Sequence, residues 1–338
     1  MTRRRFLLAT AAVLLAGAAA AFVAFSLLRK ELASAVTLAS PVVIEVTPGE
    51  SLGRIAKRLE RAGAVRDARV FLWIARWRGT DRTVKHGRHE LQGTLSVDDV
   101  LAELARTPKP ILRVTIPEGL TAREIAALLE KAGAASAEGY LAVACSEELR
   151  RLVDAPPTAA CAEGYLFPDT YDLVPGMSPG SIVELQVKRF MEVMGPLMAP
   201  AADPESARRA LILASIIEKE TAVPTERPLV AAVFANRLRL GMLLQTDPTV
   251  IYGVIDSGAP WDGNLTRAHL TTETPYNTYR KKGLPPGPIC NPGRSSLEAA
   301  LRPATSGYLY FVARGDGSHE FNDNLASHNQ AVRRYQLR

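Results

Sequence analysis

The chain lacks most of the residues that announce a chemistry from sequence alone. It holds three cysteines, Cys145, Cys161 and Cys290, and five histidines in 338 residues. The cysteine spacing fits no metal-ligand set. His86 and His89, beside Glu90, are the nearest thing to a metal cluster, but they fall in a strand-like stretch where neighbours alternate faces. No glycine-rich phosphate loop and no Ser/His/Asp pattern is present, which sets aside nucleotide and triad chemistry. Aromatic residues make up only 6%, and the formal net charge of +6 forms no concentrated basic stripe. Nucleic acid is therefore a poor partner, and a mildly basic chain facing an acidic surface or polymer is the better reading. The cysteines leave two readings open: a Cys145–Cys161 bridge closing a short loop in an oxidising compartment, or buried free thiols.

One long hydrophobic run is present, and it decides the compartment. Arg3, Arg4 and Arg5 precede a charge-free, mostly apolar stretch from Phe6 to Leu28. As a helix it spans roughly 34 Å, enough to cross a bilayer. Residues 1–5 then form a cytoplasmic N-terminus and 6–28 a transmembrane helix, oriented N-inside by the arginines, although Arg29 and Lys30 on the far side soften that bias. A cleaved signal peptide is the rival reading, and Thr2–Leu8 is similar to a twin-arginine export signal. The length of the run favours an uncleaved anchor, and every version exports the remainder. Residues 29–40 read as a tether, 41–109 as a small β-α unit and 110–338 as a larger mixed domain, divided at Pro108 and Pro110. The expected fold class is α+β.

A strand–turn–helix element occurs twice. Val43–Val46 alternates as a strand, Thr47–Glu50 is a turn, and Ser51 caps a helix to Arg61 whose Leu52, Ile55, Ala56 and Leu59 share a face. Seventy residues on, Ile111–Ile116 is a strand, Pro117-Glu118-Gly119 a turn, Thr121 a cap, and Ile125, Ala126 and Leu129 repeat the phase. Both helices end in Ala-Gly. Between the copies lie a helix at Ala68–Trp77, a strand at Gly87–Leu91 and a helix at Val97–Arg106 capped by Ser96. Further on, Glu163–Tyr171 reads as an aromatic strand stopped by a proline. Helices are expected at Ser181–Met194, Pro204–Val223 and Glu226–Leu240, the last capped by Thr225, and a hairpin between Tyr308–Ala313 and Glu320-Phe321 precedes a helix from Leu325.

The most informative segment is Leu211–Thr221, an almost wholly apolar helical run ending in Glu218 and Glu220. Burial and the negative end of the helix dipole both disfavour an ionised carboxyl at Glu218, which is what a general acid at neutral pH requires. Glu220 lies about 200° around the helix and cannot pair with it on one face. One catalytic carboxyl is therefore expected here, although spacing alone reads more readily as two salt-bridged helix-end residues. The loops that follow are dense in amide, hydroxyl and aromatic groups, held by prolines, and such chemistry suits a sugar. Glu220, Gln245, Asp247, Tyr276, Asn277, Tyr279 and Asn291 are the candidate substrate-binding residues. His319, after the turn Gly315-Asp316-Gly317, reads as a surface or packing residue.

Six ordered segments carry a resemblance. They are Glu163–Tyr171, the run Ala-Ser-Ile-Ile-Glu-Lys-Glu-Thr ending at Thr221, Asn236-Arg237-Leu238, Leu244–Gly253, Tyr276–Tyr279 and Gly283–Ile289. Together they resemble the membrane-anchored endolytic murein transglycosylases, the YceG-like family, over nearly all of residues 41–338. The resemblance implies a single-pass inner-membrane protein facing the periplasm, with a LysM-like subdomain and a catalytic domain. It implies internal cleavage of nascent peptidoglycan strands that leaves 1,6-anhydro-N-acetylmuramic acid ends, with Glu218 as the catalytic glutamate. The first strand–turn–helix unit, with Gly49-Glu50-Ser51-Leu52 at its turn, is the part that looks like LysM. Peptidoglycan strands, the membrane and wall-synthesis proteins are the implied partners, and no metal or cofactor is called for. Cys290, and His89 where an aromatic would be expected, depart from the family pattern.

A single glutamate suits that reaction. Most glycosidases need two carboxyls, whereas the muramic 6-hydroxyl is a nucleophile already tethered to the substrate. Glu218 would protonate the bridging oxygen and then accept the hydroxyl proton. The alternative is a membrane-tethered peptidoglycan-binding scaffold without turnover.

Overall fold

The computed structural model describes residues 35–108, 110–156, 159–201 and 203–336. The expected transmembrane stretch Phe6–Leu28 lies outside the described residues. Among the described residues no helix is long and apolar enough to cross a membrane. The chain divides into two compact units, one ending at Pro110 and one beginning at Ile111, and its class is mixed α+β.

In the first unit Val42–Val46 pairs antiparallel with Gly87–Leu91, placing Ile44 opposite His89. Alternation along the strand buries Ile44 and Val46 and exposes Glu45. Those two residues pack with Ile55, Ala56 and Leu59 of the helix Leu52–Arg61, with Phe71 and Ile74 of Ala68–Trp77, and with Val100, Leu101 and Leu104 of Val97–Ala105. His89 is part of this interior. Its two ring nitrogens lie 2.8 Å from the carbonyl oxygens of Glu103 and Lys85, a structural clamp. Trp73 and Trp77 stand on the outer face of their helix, both exposed, with parallel rings 6.5 Å apart.

The second unit opens with the repeated element. Leu112–Thr115 pairs antiparallel with Thr170–Leu173, and Ala122–Lys131 begins at a capping box between Thr121 and Glu124. The copies agree in backbone detail. Gly49 and Gly119 turn with φ of 77° and 81°, and Gly63 and Gly133 end the helices with φ of 72° and 71°, the left-handed region where glycine carries no Cβ penalty. Ile116, Ile125 and Leu129 join Tyr140, Leu166, Phe190 and Leu211 in a large core. A second cluster, with Ile216, Ile217, Val230, Phe234 and Leu244, lies under the helices Pro204–Glu220 and Arg227–Arg239. The hairpin is Tyr310–Ala313 against His319–Asn322, followed by the helix Leu325–Tyr335.

Several expected elements differ from those observed: the helix expected from Ser181 begins at Pro179 behind a Ser178 cap, the helix expected from Glu226 begins at Arg227 with no cap from Thr225, and Ser51 precedes its helix without a capping hydrogen bond. Glu163–Pro168 is irregular, and strand begins only at Thr170, because Pro168 has no N–H to give a ladder. The Pro204 helix stops at Glu220 and not near Val223, with Thr221 already extended at φ −140°. Asp247-Pro248 does not make a turn in a loop; it opens the helix Asp247–Asp256, with proline in the first turn where its missing N–H costs nothing.

Cys145 and Cys161 form a disulfide across a separation of 16 residues, and Cys290 is buried and free. A loop of that length contributes about 3 kcal/mol by restricting the unfolded chain. The double replacement of Cys145 and Cys161 by alanine is expected to lose about that much in a urea titration of the oxidised protein. An unchanged midpoint would mean that the bridge contributes nothing.

Candidate active site

The site is organised by the last three residues of the Pro204–Glu220 helix. Leu211 through Ile217 are buried without a gap, so the helix is fixed by packing on all sides. Glu218, Lys219 and Glu220 then emerge at successive steps of about 100° and reach three different surroundings.

Glu218 meets donors. Ser296 Oγ donates to Oε2 at 2.7 Å, the Gly293 N–H donates to the same oxygen at 3.0 Å, and Arg227 Nη2 donates to Oε1 at 3.3 Å. Its side chain is only 7% exposed and that of Arg227 only 10%. Gly293 is the N-cap of the helix Arg294–Leu301, so Glu218 sits where an unpaired amide and a positive helix end attract an anion. The expectation of an apolar pocket, deepened by the negative end of its own helix, is corrected here. A second helix start and a guanidinium face the carboxyl, an arrangement suited to a carboxylate. Arg227 Nε, buried, has no hydrogen-bond partner among the described residues.

Glu220 points elsewhere, as the 200° separation requires. It lines a cleft of about 380 Å³ together with Gln245, Asp247, Tyr279, Arg237 and Tyr310. The structure therefore brings four of the seven candidate substrate-binding residues into one place. Within the cleft, Tyr279 Oη donates to Asp247 Oδ1 at 2.6 Å, and the Thr246 hydroxyl donates to Glu220. Burial holds the Glu220 carboxyl above its ordinary range, the Thr246 bond opposes that, and Asp247 adds to it. Gln245 is one of two non-glycine residues at positive φ among the described residues, at 51°, which turns the chain into the helix behind it.

The other three candidates are structural. Asn291 is fully buried, and its side chain is used completely. Its Oδ1 accepts the N–H groups of Gly164 and Leu166, while its Nδ2 donates to Leu120 O and to Glu163 Oε1. Nothing is left for a sugar. Asn277 is spent in the same way: Nδ2 donates to the carbonyls of Leu270 and Thr272, and Oδ1 accepts from Tyr279 N–H. Tyr276 is 2% exposed and packs edge-on against Tyr252 with ring centroids 4.7 Å apart. All three had the right chemistry for a glycan; burial turns that chemistry inward. His319 is also inside the protein's own network, 2.6 Å from Glu226 through Nδ1.

Lys219 reaches a third region. Its Nζ donates to Gly119 O at 3.2 Å, and its side chain lines a cavity of about 420 Å³ with Glu163, Ile251, Tyr252, Asp256 and Trp261. Glu163 is buried, and loss of water pushes its carboxyl from 4.5 up to about 8, against hydrogen bonds from Ala122 N–H, Tyr252 and Asn291.

The sequence reading missed Arg227, Gly293, Ser296 and Glu118. Only Gly293 left a signal, as the glycine after Asn291-Pro292 opening a helical stretch. An arginine on a largely apolar helix, Arg227–Arg239, reads as surface until the fold shows it buried at 8% exposure.

A mixed α+β chain whose packed helix end sets one carboxylate among donors and turns a second into a polar cleft carries the groups a glycan-cleaving enzyme needs. The sequence belongs to the YceG-like family, which it matches over residues 44–334. It is 31% identical over 313 residues to an endolytic murein transglycosylase of Bacillus subtilis (strain 168), covering 87% of this chain and 84% of that protein. It is 28% identical over 323 residues to an endolytic murein transglycosylase of Streptococcus pneumoniae serotype 2, of which it spans 58%. The crystal structure of a putative yceG-like protein from Listeria monocytogenes is similar at a TM-score of 0.57 and 30% identity, covering 86% of this chain and 99% of that one.

Two outcomes test these assignments. Asn291→Ala strips hydrogen bonds from three buried groups and one half-buried carbonyl and is expected to cost about 3 kcal/mol or more in a denaturant titration; an unchanged stability would reinstate it as a solvent-facing residue. Glu163 keeps its proton in the fold above the pH at which the unfolded chain releases it. Its contribution to stability is therefore full below 4.5 and falls as pH rises toward about 8, at up to ~1.4 kcal/mol per pH unit. Glu163→Gln is expected to flatten that decline; a variant that follows the wild-type curve would show the proton is absent.

Proposed function

We propose that this chain is an endolytic murein transglycosylase that cuts peptidoglycan glycan strands between N-acetylmuramic acid and N-acetylglucosamine and leaves 1,6-anhydro-N-acetylmuramic acid ends. The observation that carries the reading is Glu218, held by Ser296, Gly293 and Arg227 at a helix end, on a chain that belongs to a family with relatives named for this activity. The cleft with Glu220, Gln245, Asp247 and Tyr279 offers carboxylate, amide and phenol groups beside aromatic rings, the mixture that binds sugar hydroxyls and packs on pyranose faces.

In this reaction the bond from muramic C1 to the bridging oxygen breaks. A proton goes to that oxygen, and the muramic 6-hydroxyl closes on C1 and loses its own proton. No water is consumed. The nucleophile is part of the substrate, so the entropy of bringing it in has already been met. What the protein must provide is a rigid carboxylate at the reacting carbon, and the packed helix provides the rigidity.

The remaining parts of the reading follow the sequence. Phe6–Leu28 anchors the chain in the inner membrane without cleavage, residues 29–40 tether it, and the catalytic domain, residues 110–338, faces the periplasm close to where strands are made. Residues 41–109 form a LysM-like subdomain, a reading supported by the strand–helix unit and by the exposed, parallel Trp73 and Trp77, which suit a pyranose face. Wall-synthesis proteins are the natural partners at that position.

The test is incubation of the full-length protein in detergent with uncrosslinked glycan strands, followed by mass spectrometry of the new ends. Anhydro-muramic ends are expected, and Glu218→Gln is expected to lower their formation by about 10² to 10⁴-fold while strand binding persists. A Glu218→Gln protein that cleaves normally would sink the assignment, and a wild-type protein that binds strands without cutting would favour a scaffold.

A further inference from the structure

Two carboxyls, and not one, meet at Gly293. Glu118 lies in the turn before the capped helix Ala122–Lys131. The turn is tied down from three directions: Gly119 N–H donates to Asn291 O, Asn291 N–H donates to Leu120 O, both at 2.9 Å, and Lys219 Nζ donates to Gly119 O. So held, the Glu118 carboxyl lies against the Cα of Gly293. A Cβ built on Gly293 would come within 1.9 Å of its Oε1, while on Gly119 a Cβ would lie 3.5 Å from Cγ of Glu218. The same Gly293 gives its N–H to Glu218. One glycine thus separates two carboxyl groups that come from different elements.

Their surroundings differ. Glu218 is enclosed, and a guanidinium, a hydroxyl and an amide converge on it. Glu118 is exposed, so a strand can reach it, and among the described residues its carboxyl meets no hydrogen-bond donor. Partial loss of water first, and then the charge of Glu218, push its carboxyl above the ordinary range, with Arg227 opposing. The other charged groups nearby are committed: Lys219 to Gly119 O, Arg294 to Glu298, and Glu124 to the Thr121 cap. Neighbouring carboxyls placed in unlike environments divide into a proton donor and a proton acceptor.

We propose that Glu118 is a second catalytic residue, the group that protonates the bridging oxygen as the muramic C1–O bond breaks, while Glu218 accepts the proton of the attacking 6-hydroxyl. The inference rests on the transglycosylase reading and divides between two residues the roles that one glutamate would otherwise play in turn. The balance is complete: Glu118 ends ionised, Glu218 ends protonated, and one proton passes back from Glu218 to Glu118 before the next turnover. The exposed carboxyl does the donating and the enclosed, donor-bound one does the accepting.

Gly293 allows the idea to be tested without touching either glutamate. Its φ of −76° suits any residue, and the atoms an added methyl would strike are the tip of the flexible Glu118 side chain. Gly293→Ala should therefore displace the Glu118 carboxyl while keeping the backbone amide on Glu218. The full-length protein and its Glu118→Gln, Gly293→Ala and Glu218→Gln variants are assayed on glycan strands across pH. They are also assayed on a muramyl glycoside with a nitrophenolate leaving group, which departs without a proton. On strands, Glu118→Gln and Gly293→Ala are expected to lose about 10² to 10⁴-fold in kcat together with the alkaline limb of the pH profile, and to approach wild-type rates on the nitrophenyl substrate. Glu218→Gln is expected to fail on both. Wild-type rates and an intact alkaline limb in Glu118→Gln would overturn the proposal, as would equal loss on both substrates, which would mark Glu118 as structural. An active Glu218→Gln would instead overturn the transglycosylase reading itself.

Discussion

The constraint on which the site depends is the meeting of two helix ends at one carboxylate. The Pro204–Glu220 helix is apolar for seven consecutive residues, Leu211–Ile217, all of them buried. It cannot rotate or slide without exposing several of them, at about 1.5–3 kcal/mol for each large side chain. Glu218 inherits that immobility. An acid carried to a buried C-terminal helix end would be unstable alone. The start of the Arg294–Leu301 helix, with Gly293 N–H and the Ser296 hydroxyl, supplies the opposite polarity, and Arg227 supplies the charge. Position comes from hydrophobic packing, and tolerance of the charge comes from donors brought in by segments nine and seventy-five or more residues away.

The same division of labour explains the irregular stretch from Glu163 to Pro168. It has no strand or helix to satisfy its backbone, so the Asn291 amide oxygen accepts two of its N–H groups, while Nδ2 holds the Glu163 carboxyl and the Leu120 carbonyl beside the Glu118 turn. Glu163, within reach of Asn291 and the Ala122 N–H, is the price of that arrangement: a carboxyl kept dry. Such fully used polar groups specify one packing because any alternative leaves a donor or acceptor unmet.

Polar residues in the loops divided into two kinds that their identities do not separate. Gln245, Asp247 and Tyr279 line the cleft with Glu220, whereas Asn277, Asn291 and Tyr276 are interior. Tyr276 and Tyr279 are three positions apart in one loop and face opposite fates. Local composition is the same for both, and the difference lies in which neighbour, Tyr252 or Asp247, the tertiary structure sets against each ring.

The sequence by itself determined the elements whose signals are local. Alternation gave the strand Val42–Val46, capping boxes at Ser96 and Thr121 gave the helices starting at Val97 and Ala122, and Ala-Gly ends gave the stops of the helices from Leu52 and Ala122. It also drew notice to Glu218, as an acid closing an apolar helical run, although the catalytic role expected of it came from the family resemblance, and it set Glu220 on the other side by helical geometry alone. Only the tertiary structure decided what Glu218 faces. Arg227, Ser296, Gly293 and Glu118 come from distant segments with no shared periodicity, and whether a buried carboxyl finds an apolar wall or a set of donors depends on contacts across the chain that no local pattern encodes.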